Sequence, residues 1–157
     1  MCSSDLSAPR VARGAAYADI DNDGDLDLLI TTNAGPPLLF RNDGGNRNHA
    51  LRVKLRGTSS NRDGIGAVVR IEYAGEKQWQ MLRSGSSYLS QSELVLTFGL
   101  GEKTRVASLR IEWPSGKTDQ LTNVAAELGD LYKRLVKSSR LNGPHAGNAR
   151  MKPALSR

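Results

Sequence analysis

Between Leu51 and Arg56 the chain reads Leu-Arg-Val-Lys-Leu-Arg, apolar and basic in strict alternation. That is the period of a strand with one face buried. Comparable short runs recur downstream at Ala67–Tyr73, Gln78–Arg83, Leu94–Phe98 and Val106–Trp113. They are set apart by Gly57–Gly66, Ala74-Gly75, the polar stretch "SGSSYLSQSE" and Pro114-Ser115-Gly116. Five or more short strands with turn residues between them predict a small β-sandwich or barrel. Upstream, the pattern predicts a strand entering through Tyr17, a second at Leu28–Thr32, a turn at Gly35-Pro36-Pro37 and a third strand at Leu38–Arg41. Asn42-Asp43-Gly44-Gly45 then punctuates the chain. Beyond the last strand the period changes: Val124, Leu128, Leu131 and Leu135 recur at intervals of four, three and four. That spacing predicts a helix over Ala125–Lys137. The expected organisation is a start at 1–10 that is non-native or disordered, a first unit at 11–47, a second at 48–124, the helix at 125–137 and a disordered tail at 138–157.

Composition sharpens this in three places. Aromatic residues are only 5% of the 157, so a core must be built from Leu, Val, Ile and Ala. The net charge of +6 suggests a basic protein, but Lys133–Arg157 holds seven basic residues and no acidic one. The remainder carries 15 basic against 16 acidic residues, so the basicity argues for no specific nucleic-acid partner of the folded part. Cys2 is the single cysteine, which excludes an internal disulfide and leaves the redox compartment open. No apolar run is long enough to span a membrane as a helix. The start, "MCSSDLSAPR", lacks the basic and apolar regions of a signal peptide. Cys2–Leu6 matches the translation of a common sequencing-adapter end, so the chain is expected to be the C-terminal part of a longer reading frame.

The densest chemistry lies in "DIDNDGDLD", where Asp19, Asp21, Asp23, Asp25 and Asp27 occupy alternate positions. In water these carboxylates repel one another. A divalent cation reverses the sign of that energy. Ca²⁺ takes six to eight oxygens, and alternate residues of a tight loop can turn inward on one centre. Asp19, Asp21, Asp23 and Asp27 would supply side chains and Asp25 its backbone carbonyl. Gly24 stands at the sixth position, where such a loop turns sharply. An EF-hand needs Glu at position twelve and flanking helices, whereas here Ile30 occupies that place within a β-branched run. Mg²⁺ suits the loop less, since it keeps several waters. The alternatives are a solvated acidic turn and a catalytic carboxylate pair.

"AAYADIDNDGDLDLLITTNAGPPLLFRNDGG", Ala15 to Gly45, resembles one FG-GAP or VCBS repeat, the blade unit of integrin-type β-propellers. The resemblance implies Ca²⁺ held by Asp19, Asp21, Asp23, Asp25 and Asp27. One blade cannot close a propeller, so further N-terminal blades of the same protein are the implied partners. "LRVKLRGTSSNRDGIGAVVRI", "SGSSYLSQSELVLTFGLG" and "LRIEWPSGKTDQLTNV" resemble the ASPIC/UnbV domain, which follows such repeats in the cartilage acidic protein family. The two resemblances together imply an all-β, extracellular or periplasmic binding or adhesion protein that engages a protein or glycan ligand, adhesion or binding being implied more than chemistry. An enzyme or accessory protein of a biosynthetic pathway is the alternative. A polyanion binder acting through the tail is another.

The second unit offers one weaker candidate: Asn61, Arg62 and Asp63 with Tyr88, Ser90 and Gln91 as a ligand-binding site. The competing reading of Ser60–Gly66 is an Asx-type turn with two special glycines. "GIGAVV" fails as a dinucleotide fingerprint, because its third glycine would fall at Val69. "GEKT" fails as a phosphate loop, because Glu102 precedes Lys103 where glycine belongs. No motif around any serine supports a triad with His49 or His145. Trp79 and Trp113 read as packing residues unless one is exposed, which would favour a glycan platform.

Overall fold

A computed structural model describes residues 9–126 and 133–137. The first unit is an antiparallel sheet of β1 (Ala12–Ala18), β2 (Asp27–Thr32) and β3 (Leu38–Phe40), with β2 in the middle. The β1–β2 connection is the aspartate loop, and the β2–β3 turn carries Gly35-Pro36-Pro37. A single 3-10 turn at Gly45–Arg47 leads into the second unit.

The second unit holds β4 (His49–Arg56), β5 (Val68–Tyr73), β6 (Glu76–Met81), β7 (Leu96–Gly101), β8 (Arg105–Glu112), β9 (Thr118–Ala125) and β10 (Lys133–Lys137). Four of these form one antiparallel sheet in the order β6-β5-β8-β9. A second sheet runs β10-β4-β7, with β10 parallel and β7 antiparallel to β4. The inward positions of both sheets make one core: Leu51, Val53 and Leu55 of β4 and Phe98 of β7 meet Val69 and Ile71 of β5 and Leu109 and Ile111 of β8. Each side chain so buried contributes about 1.5–3 kcal/mol. The two-sheet arrangement agrees with the alternation read along the chain.

The expected helix at 125–137 is not formed where the structure describes it. Ala125 ends β9, and Lys133–Lys137 is the parallel strand β10 against Arg52–Arg56. Residues 127–132 lie outside the described residues, as does the tail at 138–157 that was expected to be disordered. Of the four positions that predicted the helix, Val124 lies in β9 and Leu135 in β10, two separate strands. Strand alternation slips at Ala107 and its opposite position Asn123, which takes φ 53. Leu121 and Val124 therefore both reach the core although three residues apart.

Among the described residues, no hydrophobic side chain of 11–47 belongs to the core, while Val11, Tyr17, Ile20, Leu29 and Leu39 are exposed. The first unit is therefore held by its strand ladder, by hydrogen bonds of the aspartate loop and by its junction with the second unit.

That junction runs along the outer edge of β1. The Ala15 N–H donates to Ser87 Oγ at 3.1 Å and the Tyr17 N–H to Ser92 Oγ at 3.3 Å. The Glu93 N–H donates to the Tyr17 carbonyl at 3.1 Å. An exposed strand edge is a template for unwanted pairing, and here serine hydroxyls satisfy it. The approach is close: a Cβ on Gly14 would fall 2.6 Å from the Tyr88 carbonyl oxygen.

Candidate functional site: the aspartate loop and its arginine bridge

The loop between β1 and β2 folds by hydrogen-bonding its own carboxylates to its own backbone. The Asp23 N–H donates to Asp21 Oδ1 at 3.4 Å, and the Asp25 N–H to Asp23 Oδ1 at 3.1 Å. Short acidic side chains favour such turns. Asn22 (φ 63) and Gly24 (φ 98) take the left-handed torsions that reverse the chain. Gly24 thus fills the role expected of position six. Asp27 begins β2, is 1% exposed and anchors the loop: Oδ2 accepts the Ile20 N–H and Oδ1 the Asn42 N–H, both at 2.9 Å. Asp25 Oδ2 accepts the Gly45 N–H at 2.9 Å, tying the loop to the exit of the first unit.

These bonds divide the five aspartates. Carboxylate oxygens of Asp19, Asp21 and Asp27 lie within 4.8 Å of one another. Asp23 and Asp25 accept backbone N–H groups beside that cluster. Oxygens bound to one Ca²⁺ at about 2.3–2.6 Å can lie up to roughly 5 Å apart, so the cluster has the right span. One oxygen of the set, Asp19 Oδ1, is buried and accepts no hydrogen bond among the described residues. A buried oxygen of that kind is costly unless something pairs it. The donor set, hard carboxylate oxygen only, suits calcium.

Two arginines supply positive charge. Arg41 Nη1 lies 3.8 Å from Asp21, and Arg41 Nε lies 2.6 Å from Asp43. The hydrogen bond and charge of Asp43 raise the Arg41 pKa above its ordinary value, and Asp21 and Asp23 push the same way. Arg52 makes the larger contribution. Its side chain is 3% exposed, and its guanidinium donates from Nη1 to Asp19 Oδ2 and from Nη2 to Glu93 Oε1. Asp19 therefore turns one oxygen to a residue of β4 and keeps the other free. The aspartate loop, β4 and the segment before β7 meet on this one guanidinium.

Arg52 escaped the sequence reading. Its place in the alternation of β4 marks it as outward-facing, and it does leave the core side of the sheet. That outward side is covered by the first unit, which periodicity alone does not reveal.

The weaker candidate residues fall in two places. Asn61 Oδ1 accepts the N–H groups of Asp63 at 2.9 Å and Ile65 at 3.3 Å. This is the Asx-type turn. The same loop meets the β8–β9 turn through Ser60 Oγ, which accepts the Ser115 N–H at 3.2 Å. Ser90 Oγ donates to the Tyr88 carbonyl at 2.8 Å, and the Gln91 side chain bonds the Gly85 N–H and the Ser92 carbonyl. Tyr88 is 67% exposed. Among the described residues, no hydrogen bond joins Asn61, Arg62 and Asp63 to Tyr88, Ser90 and Gln91. The second loop instead lies along β1.

Residues 57–128 match the family described as ASPIC and UnbV. The chain is similar to "Cartilage acidic protein 1" of Xenopus tropicalis, 37% identical over 108 residues, which cover 66% of this chain and 16% of that protein. It is also similar to the Homo sapiens protein of that name, 32% identical over 126 residues, covering 78% of this chain and 19% of that protein. Residues 57–128 thus match an ASPIC/UnbV domain, and the chain spans less than a fifth of the length of these curated relatives.

Proposed function

We propose that this chain is the calcium-binding, ligand-binding part of an extracellular or periplasmic protein of the cartilage acidic protein type. Residues 11–47 act as one FG-GAP or VCBS repeat and residues 48–124 as a non-catalytic ASPIC/UnbV domain. The observation that carries the proposal is the convergence of Asp19, Asp21 and Asp27 with a buried, unbonded Asp19 oxygen. Asp19, Asp21 and Asp27 would hold the ion, Asp23 would complete the acidic wall, and the Asp25 carbonyl would be the backbone ligand. Bound calcium supplies the positive charge that allows these groups to lie together. The chain's own residues do the rest: Asp27 fixes the loop ends, Gly24 turns it, and Arg52 holds Asp19 in place. Neighbouring repeats of a longer protein would cover the exposed Leu29 and Leu39. A protein or glycan ligand would engage the second domain.

Affinity belongs in the range of extracellular modules, a Kd on the order of 10⁻⁴–10⁻³ M. Calorimetric titration with Ca²⁺ tests the reading, with Asp21→Ala and Asp23→Ala beside the wild type. Asp21→Ala should abolish the heat and Asp23→Ala should reduce it. Equal heats from all three chains would refute the site.

A further inference from the structure

We propose that the outward face of the β6-β5-β8-β9 sheet binds an acidic polysaccharide, with Trp79 as a stacking platform and Arg70 and Arg110 as an anion clamp. The inference is independent of calcium and rests only on the second domain being a binding module.

The register sets Trp79 of β6 opposite Arg70 of β5, Arg70 opposite Arg110 of β8, and Arg110 opposite Gln120 of β9. One row across the sheet therefore presents an indole, two guanidiniums and an amide to solvent. This row is costly as plain surface. Trp79 is 58% exposed. Like charges directly opposite each other on a sheet are destabilising, and the two arginines share a single oxygen, Glu112 Oε1, at 3.3 and 3.4 Å. Both bonds come from Nε, so the terminal Nη groups remain as donors. The Arg70 guanidinium carbon also sits 5.7 Å from the Trp79 ring centroid, within cation–π range. One further anion beside Glu112 would balance the two guanidiniums.

Trp79 stands between two open recesses. One, of about 350 Å³, is lined by Arg70, Lys77, Ser108, Arg110 and Gln120. The other, of about 300 Å³, reaches Tyr17, Arg83 and Ser86. A ridge of indole with a polar recess on each side suits a chain of sugar rings, whose C–H faces stack on aromatic surfaces while their hydroxyls reach amide, hydroxyl and guanidinium groups. The charge census selects an acidic sugar. Around the row stand three cations (Arg70, Lys77 and Arg110) and two anions (Glu72 and Glu112). That small excess matches scattered sulfates or carboxylates. A nucleic-acid backbone, which calls for a run of unpaired cations, fits it poorly.

The test is a calorimetric titration in chelator with a hyaluronan oligosaccharide, neutral dextran and a single-stranded oligonucleotide. Because calcium is absent throughout, a failed aspartate site leaves the result intact. The wild type should bind the hyaluronan fragment and not dextran. Arg110→Gln should weaken binding at least about tenfold, the loss of one charge-assisted contact, while its Tm stays level or rises as the arginine–arginine repulsion is relieved. Trp79→Ala should weaken binding comparably. Absence of hyaluronan binding would overturn the proposal. So would undiminished binding by both variants, which would place the polyanion elsewhere, such as the basic C-terminal residues. Equal affinity for the oligonucleotide, lost on the same variants, would overturn the choice of ligand.

Discussion

Replacing Arg52 by methionine probes the bridge between the aspartate loop and the second domain. Methionine keeps much of the side-chain length and removes the charge. Arg52 is 3% exposed, and its partners Asp19 and Glu93 are 0% and 15% exposed at their side chains. Removing one member of a buried ion pair costs about 3–5 kcal/mol, because the remaining charge is left desolvated. Glu93 can recover some hydration, which places the loss near the lower bound, about 3 kcal/mol. For a domain of this size each kcal/mol moves Tm by roughly 3–5 °C, so Tm in chelator should fall by roughly 9–15 °C. Calcium adds a second arm. At about 10 mM ion and a Kd of 10⁻⁴–10⁻³ M, binding stabilises the wild type by about 1.4–2.7 kcal/mol. In the variant the ion becomes the only remaining cation for Asp19, and a repelling guanidinium is gone, so the calcium-induced rise should exceed that of the wild type. Thermal denaturation of both chains in chelator and in calcium reads all four states. A variant within about 1 kcal/mol of wild type in chelator would refute the buried bridge. A calcium-induced rise smaller in the variant than in the wild type would refute the placement of Asp19 at the ion.

Three further outcomes follow from the same geometry. In chelator, Asp27→Ala should cost about 2–4 kcal/mol, since two backbone N–H groups lose their acceptor, whereas Asp21→Asn should stay within about 0.5 kcal/mol; urea unfolding of both separates the carboxylate that also holds the loop together from one that serves the ion alone. Gly14→Ala should loosen the edge of β1, because its Cβ would lie 2.6 Å from the Tyr88 carbonyl oxygen; faster amide exchange at Ala15 and Tyr17 in the variant is the readout, and unchanged exchange would mean the edge is not capped as described. Burial, with the Glu76 hydrogen bond adding to it, raises the Tyr73 phenol above its ordinary pKa of 10.0. The neutral phenol is thus favoured in the fold, so this stability is present below pH 10 and lost as pH climbs through the raised value. Tyr73→Phe should flatten the alkaline decline seen in urea midpoints.

How much of this was legible beforehand depends on how local each cause is. The strands β4, β5, β7 and β8 show in the alternation because each buries one face, β1 to β3 show through the turn residues around them, and the aspartate loop shows because its turn chemistry lies within nine residues. β9 and β10 were hidden for different reasons. The slip at Asn123 gives β9 a spacing of three between its core residues. β10 is a short run whose partner, β4, lies some eighty residues away along the chain, and parallel pairing leaves no turn to announce it. The division of labour among the aspartates was hidden too, because Asp25 is drawn aside by the Gly45 N–H while Asp27 is anchored by the Asn42 N–H, both from beyond β3, with Asp27 still facing Asp19 and Asp21. Arg52 is the sharpest case. Its neighbours Lys54 and Arg56 share its face of β4 and its chemistry, yet both are exposed. What separates them is only that Asp19 and Glu93 arrive over Arg52, from residues 33 and 41 positions away. A buried guanidinium there makes sense only if the first unit packs on this sheet. The charge of one β4 residue thus ties the order of the aspartate loop to the seating of the two units. A metal ion that neutralises Asp19 must act on both at once.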